Sequence, residues 1–229
     1  KVGQTYGASI SLAQSLMPNI EPGSNGTTTL TITNEGNGPD TLRISSSSPP
    51  SGWSVRLDAS TVSVDSKHGS EKSSDVSVTI DVPINALATE EIDLTFTVLP
   101  SSGGAAYDEV VLRITVKAVH AMDAEATATD QTGRSGTEVR FPITIENQGN
   151  VKDSFRCSVM QQTASPAWGV HYEDSNGVQF VDIEMNARST VEVFLVVSVD
   201  GEEELAYTRI TSRITNRGDS STGDENDDG

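Results

Sequence analysis

The chain of 229 residues holds one cysteine, Cys157, so no disulfide can form within it, and the small disulfide-stapled secreted scaffolds are excluded. Cations are scarce. Lys and Arg number 15 against 33 Asp and Glu, a formal net charge of −18. Nucleic acid and anionic membrane surfaces attract proteins through Lys and Arg that release counterions, so neither is expected as a partner. No apolar run approaches the roughly 20 residues of a membrane helix, so no membrane insertion is expected within this segment. A signal-peptide pattern is also missing, while the first residue is Lys1 rather than Met; both suit a processed piece of something longer. His68, His120 and His171 share no metal-ligand spacing, which argues against zinc. There is no G-x-S-x-G elbow, and the Gly-rich turns introduce no helix that could cradle phosphate. The paired carboxylates Glu90-Glu91 and Glu202-Glu203-Glu204 sit at turns, where hydration accounts for them. The chain is therefore read as a non-enzyme without a cofactor.

What is abundant is Ser and Thr beside Val and Ile, a composition suited to pleated, half-buried strands. Apolar residues recur at every second position. Leu30 and Ile32 alternate with Thr29, Thr31 and Thr33; Val76, Val78, Ile80 and Val82 continue the pattern, as do Ile92, Leu94, Phe96 and Val98, and Val110, Leu112, Ile114 and Val116. The chain also repeats itself. Asn34 recurs as Asn147, Trp53 as Trp168 and Val82 as Val199, with an offset that drifts by only a few residues. About seven short strands in each copy of roughly 110 residues is the pattern of an immunoglobulin-like sandwich. The expected fold is all-β, two tandem immunoglobulin-like β-sandwiches. Residues 1–119 form the first, 120–216 a second without an evident last strand, and 217–229 an acidic tail. Nothing rich in Gly, Ser or Pro separates Val116 from His120, so a fairly stiff pair is expected.

The repeat is anchored by N-x-G-N-x-x-D, present as Asn34, Gly36, Asn37 and Asp40 and again as Asn147, Gly149, Asn150 and Asp153. This frame reads as a chain reversal between strands. Asn34 and Asn147 can close it through their side-chain amides, Gly36 and Gly149 can take positive φ, and Asn37 and Asn150 suit the left-handed region. Asp40 and Asp153 would receive backbone N–H groups as the next strand begins. Trp53 and Trp168 each follow a small residue and precede a short strand, where an aromatic would plug one end of a thin core; sugar stacking is the sharper alternative. Cys157 answers to Ile44 in the repeat, so a buried small hydrophobe is expected there.

With the frame, the tryptophan position and a long strand ending at Val82-Pro83, the first repeat resembles the bacterial and archaeal Ig-like modules called alpha-galactosidase-associated or cell-adhesion-related (CARDB-like) domains. The resemblance spans most of Ile10 to Val119 and, more loosely, Ala124 to Asn216. It implies an extracellular or cell-surface location and a structural, adhesion or spacer role in a larger prokaryotic protein. It implies a protein or glycan partner at the cell surface and supplies no catalytic residues. A carbohydrate-binding accessory module of a secreted enzyme is the alternative.

In the second copy, aligning Ala206 to Asn216 with Glu91 to Pro100 leaves nothing to match Tyr107 to Val119. The parent protein is expected to supply that strand further on, or the edge is filled from elsewhere, including by self-association. Three further motifs stand apart. Asp224, Asn226 and Asp228 spell the first half of a calcium loop, which in a longer parent would give a calcium-stiffened surface array. Arg217, Gly218 and Asp219 form an RGD tripeptide, read as coincidence, and Asn25 with Thr27 matches an N-glycosylation acceptor.

Overall fold

The computed structural model describes residues 3–162, 168–199 and 208–217. The chain separates into two compact units, Lys1–Ala118 and Val119–Gly229. The first contains β1 (Ala8–Leu12), β2 (Leu16–Ile20), β3 (Asn25–Asn34), β4 (Asp40–Ser46), β5 (Ser54–Leu57), β6 (Thr61–Val64), β7 (Ser73–Asp81), β8 (Glu91–Pro100) and β9 (Asp108–Val116). They form two sheets, ordered β1-β3-β7-β5 and β2-β9-β8-β4-β6. All pairings are antiparallel except β2 with β9, which run parallel after the chain has crossed from one sheet to the other.

Period two decides which side of each strand faces inward. On β3, Leu30 and Ile32 are fully buried between the sheets; on β7, so are Val76, Val78 and Ile80. Leu94, Phe96, Leu112 and Ile114 close on them from the other sheet. Each such side chain contributes about 1.5–3 kcal/mol by leaving water. The alternate residues form a polar outer ladder, as where the Thr31 hydroxyl donates to Asp75 and the Thr33 and Ser73 hydroxyls pair.

The second unit contains β10 (Met122–Ala126), β11 (Glu138–Asn147), β12 (Asp153–Gln162), β13 (Gly169–Glu173), β14 (Gln179–Phe180), β15 (Asp182–Met185), β16 (Thr190–Ser198) and β17 (Ile210–Asn216). Its sheets are ordered β10-β11-β16-β13-β14 and β15-β12-β17. The core is a smaller cluster around Ile143, Ile145, Phe155, Cys157, Tyr172, Val193 and Ile214. The protein is thus all-β, two immunoglobulin-like β-sandwiches. Among the described residues no helix is long and apolar enough to cross a membrane.

Candidate functional site

The two N-x-G-N-x-x-D frames are the most elaborate polar constellations in the described chain. The Asn34 side chain is fully buried: its Oδ1 accepts from Gly36 N (2.7 Å), and its Nδ2 donates to Gly38 O (2.9 Å) and Asp65 O (2.8 Å). Asp65 follows β6 of the opposite sheet, so one amide both closes the turn and joins the two layers. Asn147 repeats this. Its Oδ1 accepts from Gly149 N (2.9 Å) and its Nδ2 faces the carbonyls of Val151, Met185 and Asn186.

Gly36 and Gly149 do not take the positive φ expected from the sequence, and Asn37 and Asn150 are not left-handed. Close approach is what requires glycine here. A Cβ on Gly36 would lie 2.5 Å from Thr5 O, and one on Gly149 2.5 Å from Val119 O. The following asparagine clamps that same incoming segment: Asn37 Oδ1 accepts from Thr5 N (2.8 Å) and Asn150 Oδ1 from Val119 N (2.7 Å). The frame therefore holds the start of each sandwich as well as its own turn.

The frame's aspartates differ from each other, and of the two Asp40 receives the expected backbone N–H. Asp40 Oδ1 accepts from Thr41 N (2.8 Å), while its buried Oδ2 has no hydrogen-bond partner. Asp153 instead takes side-chain partners: Oδ1 meets His120 Nδ1 (2.8 Å) and Oδ2 accepts from Asn216 Nδ2 (3.1 Å). The difference follows from two positions, since Tyr6 stands where the second unit has His120 and Pro100 where it has Asn216.

Around Asp40 lies an open groove of about 610 Å³, lined by Gln4, Tyr6, Thr41, Ser63, Asp65 and Glu71 among others. Tyr6 is 61% exposed. Burial, with the Asp40 charge, pushes the Tyr107 hydroxyl above its ordinary value. An exposed aromatic ring beside hydrogen-bond acceptors can hold a hydroxylated ligand. The sequence marks only Asp40 among these residues, because the others come from separate segments with no shared spacing.

Trp53 lies in the first core at 7% exposure, whereas Trp168 is half-buried ahead of β13, so the two are not equivalent posts. Asn25 opens β3 and is exposed. Cys157 is buried, and desolvation, with the Asp182 charge, pushes its thiol up to about 12, keeping it neutral. His171 Nε2 meets Glu173 Oε1 (2.8 Å), and Arg140 pairs with the same carboxylate. Among the described residues no cluster of His, Cys, Asp or Glu could hold a metal ion. Asp224, Asn226 and Asp228, with Gly218 and Asp219, lie outside the described residues.

Residues 20–99 match the family model described as the NPCBM-associated, NEW3 domain of alpha-galactosidase. No curated protein matches the chain. Among solved structures, a protein of unknown function from Porphyromonas gingivalis W83 is similar at 18% identity, covering 83% of each chain, with a TM-score of 0.35. WR4, a member of the C. elegans MSP family, is similar at 15% identity over 47% of this chain and 96% of its own, TM-score 0.31. The sialic acid binding region of a Streptococcus sanguinis SK1 adhesin is similar at 9% identity over 92% and 74%, TM-score 0.36.

Proposed function

We propose that this chain is a non-catalytic structural segment of a larger cell-surface or secreted protein, working as a spacer or adhesion element outside the cell with a protein or glycan partner. The observation that carries this reading is where the repeated polar residues are used. Asn34, Asn37, Asn147 and Asn150 are engaged in hydrogen bonds that lock turns and incoming strands. Charged residues on the outer faces pair across strands, as Arg113 with Asp93 and Arg156 with Asp182, leaving an acidic, hydrated exterior. Exposed pairs of this kind add little stability and favour solubility.

Protease shaving of intact source cells, with mass spectrometry of the released peptides and of the medium, tests it. Peptides from both units are expected in those fractions, flanked by sequence of a longer polypeptide. Recovery from the cytosol alone overturns the reading.

A second reading, a carbohydrate-binding accessory module, is favoured by the groove at Asp40 and Tyr6. The match of residues 20–99 to a domain described from an alpha-galactosidase also supports it. Saturable binding on a glycan array that is lost in Tyr6→Ala would move the assignment there.

A further inference from the structure

The sequence holds a single N-x-S/T acceptor pattern, Asn25-Gly26-Thr27; no other Asn has Ser or Thr two positions on. In the folded chain the pattern opens β3, directly after a turn in which Ser24 N donates to Glu21 O (3.1 Å) and Gly23 has a φ of 77°. Residues two apart on a strand share one face. Asn25 and Thr27 are both exposed on the outward side of the β1-β3-β7-β5 sheet, about 6.8 Å apart along the strand.

Neither side chain has a hydrogen-bond partner among the described residues. Further along the same face the hydroxyls are engaged: Thr31 donates to Asp75 (2.7 Å) and Thr33 pairs with Ser73 (2.8 Å). Asp81 stands across from Asn25, but its two carboxylate oxygens accept from Arg56 (3.1 Å) and Ser54 (2.5 Å). Gly26 has a different reason for its identity. A Cβ there would lie 2.6 Å from Ile20 Cδ1 and 2.7 Å from Met17 Cε, so close packing on the inward side requires glycine. Packing thus accounts for the middle residue and for neither of its neighbours.

The main chain is open at the same place. β1 pairs with β3 from Asn34 only as far as Leu30, Ala13 N adds one bond to Thr29 O, and the chain then crosses to β9. Among the described residues, the stretch 25–28 pairs with β7 alone. In the second unit the corresponding strand β11 carries Glu138 and Arg140 at these two places. Arg140 is committed there, pairing with Glu173 (2.8 Å) and lying over the Phe194 ring.

We propose that Asn25 is an N-glycosylation site that takes its glycan from a polyprenyl-phosphate-linked donor. Asn25 Nδ2 attacks the anomeric carbon of the first sugar. The C1–N bond forms, the C1–O bond to phosphate breaks, the phosphate leaves with the bonding electrons, and the amide gives up one proton. Thr27 supplies the hydroxyl that completes the acceptor pattern, on the same face and free to be recognised. A hydrated glycan at Asn25 stands beside the half of β3 that β1 leaves open, and its bulk hinders further strands from adding there. The proposal rests on the extracellular reading above, since this transfer takes place on the outer side of a membrane.

The measurement is made on the native polypeptide, released from intact source cells or recovered from the medium and cut with trypsin. Residues 2–43 form one tryptic peptide, in which electron-transfer fragmentation locates any added sugar. Most copies are expected to carry a hexose- or N-acetylhexosamine-containing increment on Asn25. Produced in the same cells, the Asn25→Gln and Thr27→Val variants should lose that increment completely, while Thr27→Ser keeps it. All three should stay folded, because neither side chain holds another group. An unmodified peptide from the surface or the medium overturns the proposal and leaves the extracellular reading standing; recovery from the cytosol alone overturns both. Sugar located on Thr27, Thr28 or Thr29, or retained in Asn25→Gln, also overturns the proposal.

Discussion

Asn34 shows how much one buried side chain can hold. Its three hydrogen bonds satisfy a turn amide, a turn carbonyl and a carbonyl from the opposite sheet, all where water cannot substitute. Asn34→Ala leaves those groups without that partner, so the first unit should lose about 3 kcal/mol, read as a lower urea midpoint at unchanged slope. Asn34→Asp should cost a similar amount, because a carboxylate accepts but cannot donate to Gly38 O and Asp65 O. The role of Asn34 in closing the turn was legible from its place in the frame; its bond to Asp65 was not, since nothing local announces which carbonyl the other sheet will present. For Gly36 the residue was legible and the reason was not. The sequence suggested a dihedral requirement, and the structure shows a steric one against Thr5 O.

At the scale of the element, β9 and β17 illustrate what a strand gains from its neighbours. β9 alternates apolar and polar residues and lies between β2 and β8 with Leu112 fully buried, while β17 has only Ile210 and Ile214 as apolar residues and pairs with β12 alone among the described residues. Leu112→Ala should therefore destabilise the first unit by about 2–5 kcal/mol, the range for deleting a buried leucine and leaving a cavity. Guanidinium unfolding followed by the fluorescence of Trp53, buried in the same cluster, measures it. Alternation foretold the strands well because its period is a property of the backbone. It could not foretell the crossing of β2 to a parallel pairing with β9, which depends on β9 being present to receive it.

At the scale of the molecule, two units with cores of unequal extent share one chain. Among the described residues less apolar surface leaves water in the second, so calorimetry should resolve two transitions, with the lower one belonging to Val119–Gly229. A fragment of residues 1–118 should keep only the upper transition; a single transition lost in that fragment would contradict this. The sequence by itself determined the class of fold, the duplication and the acidic exterior, because strand period, turn chemistry and net charge are local or additive properties. Only the tertiary structure decided that Asp153 is capped by His120 and Asn216 while Asp40 opens onto a groove. It alone showed that, among the described residues, β17 pairs with β12 alone. Those features arise where segments distant in sequence converge, and no spacing along the chain records which side chains will meet there.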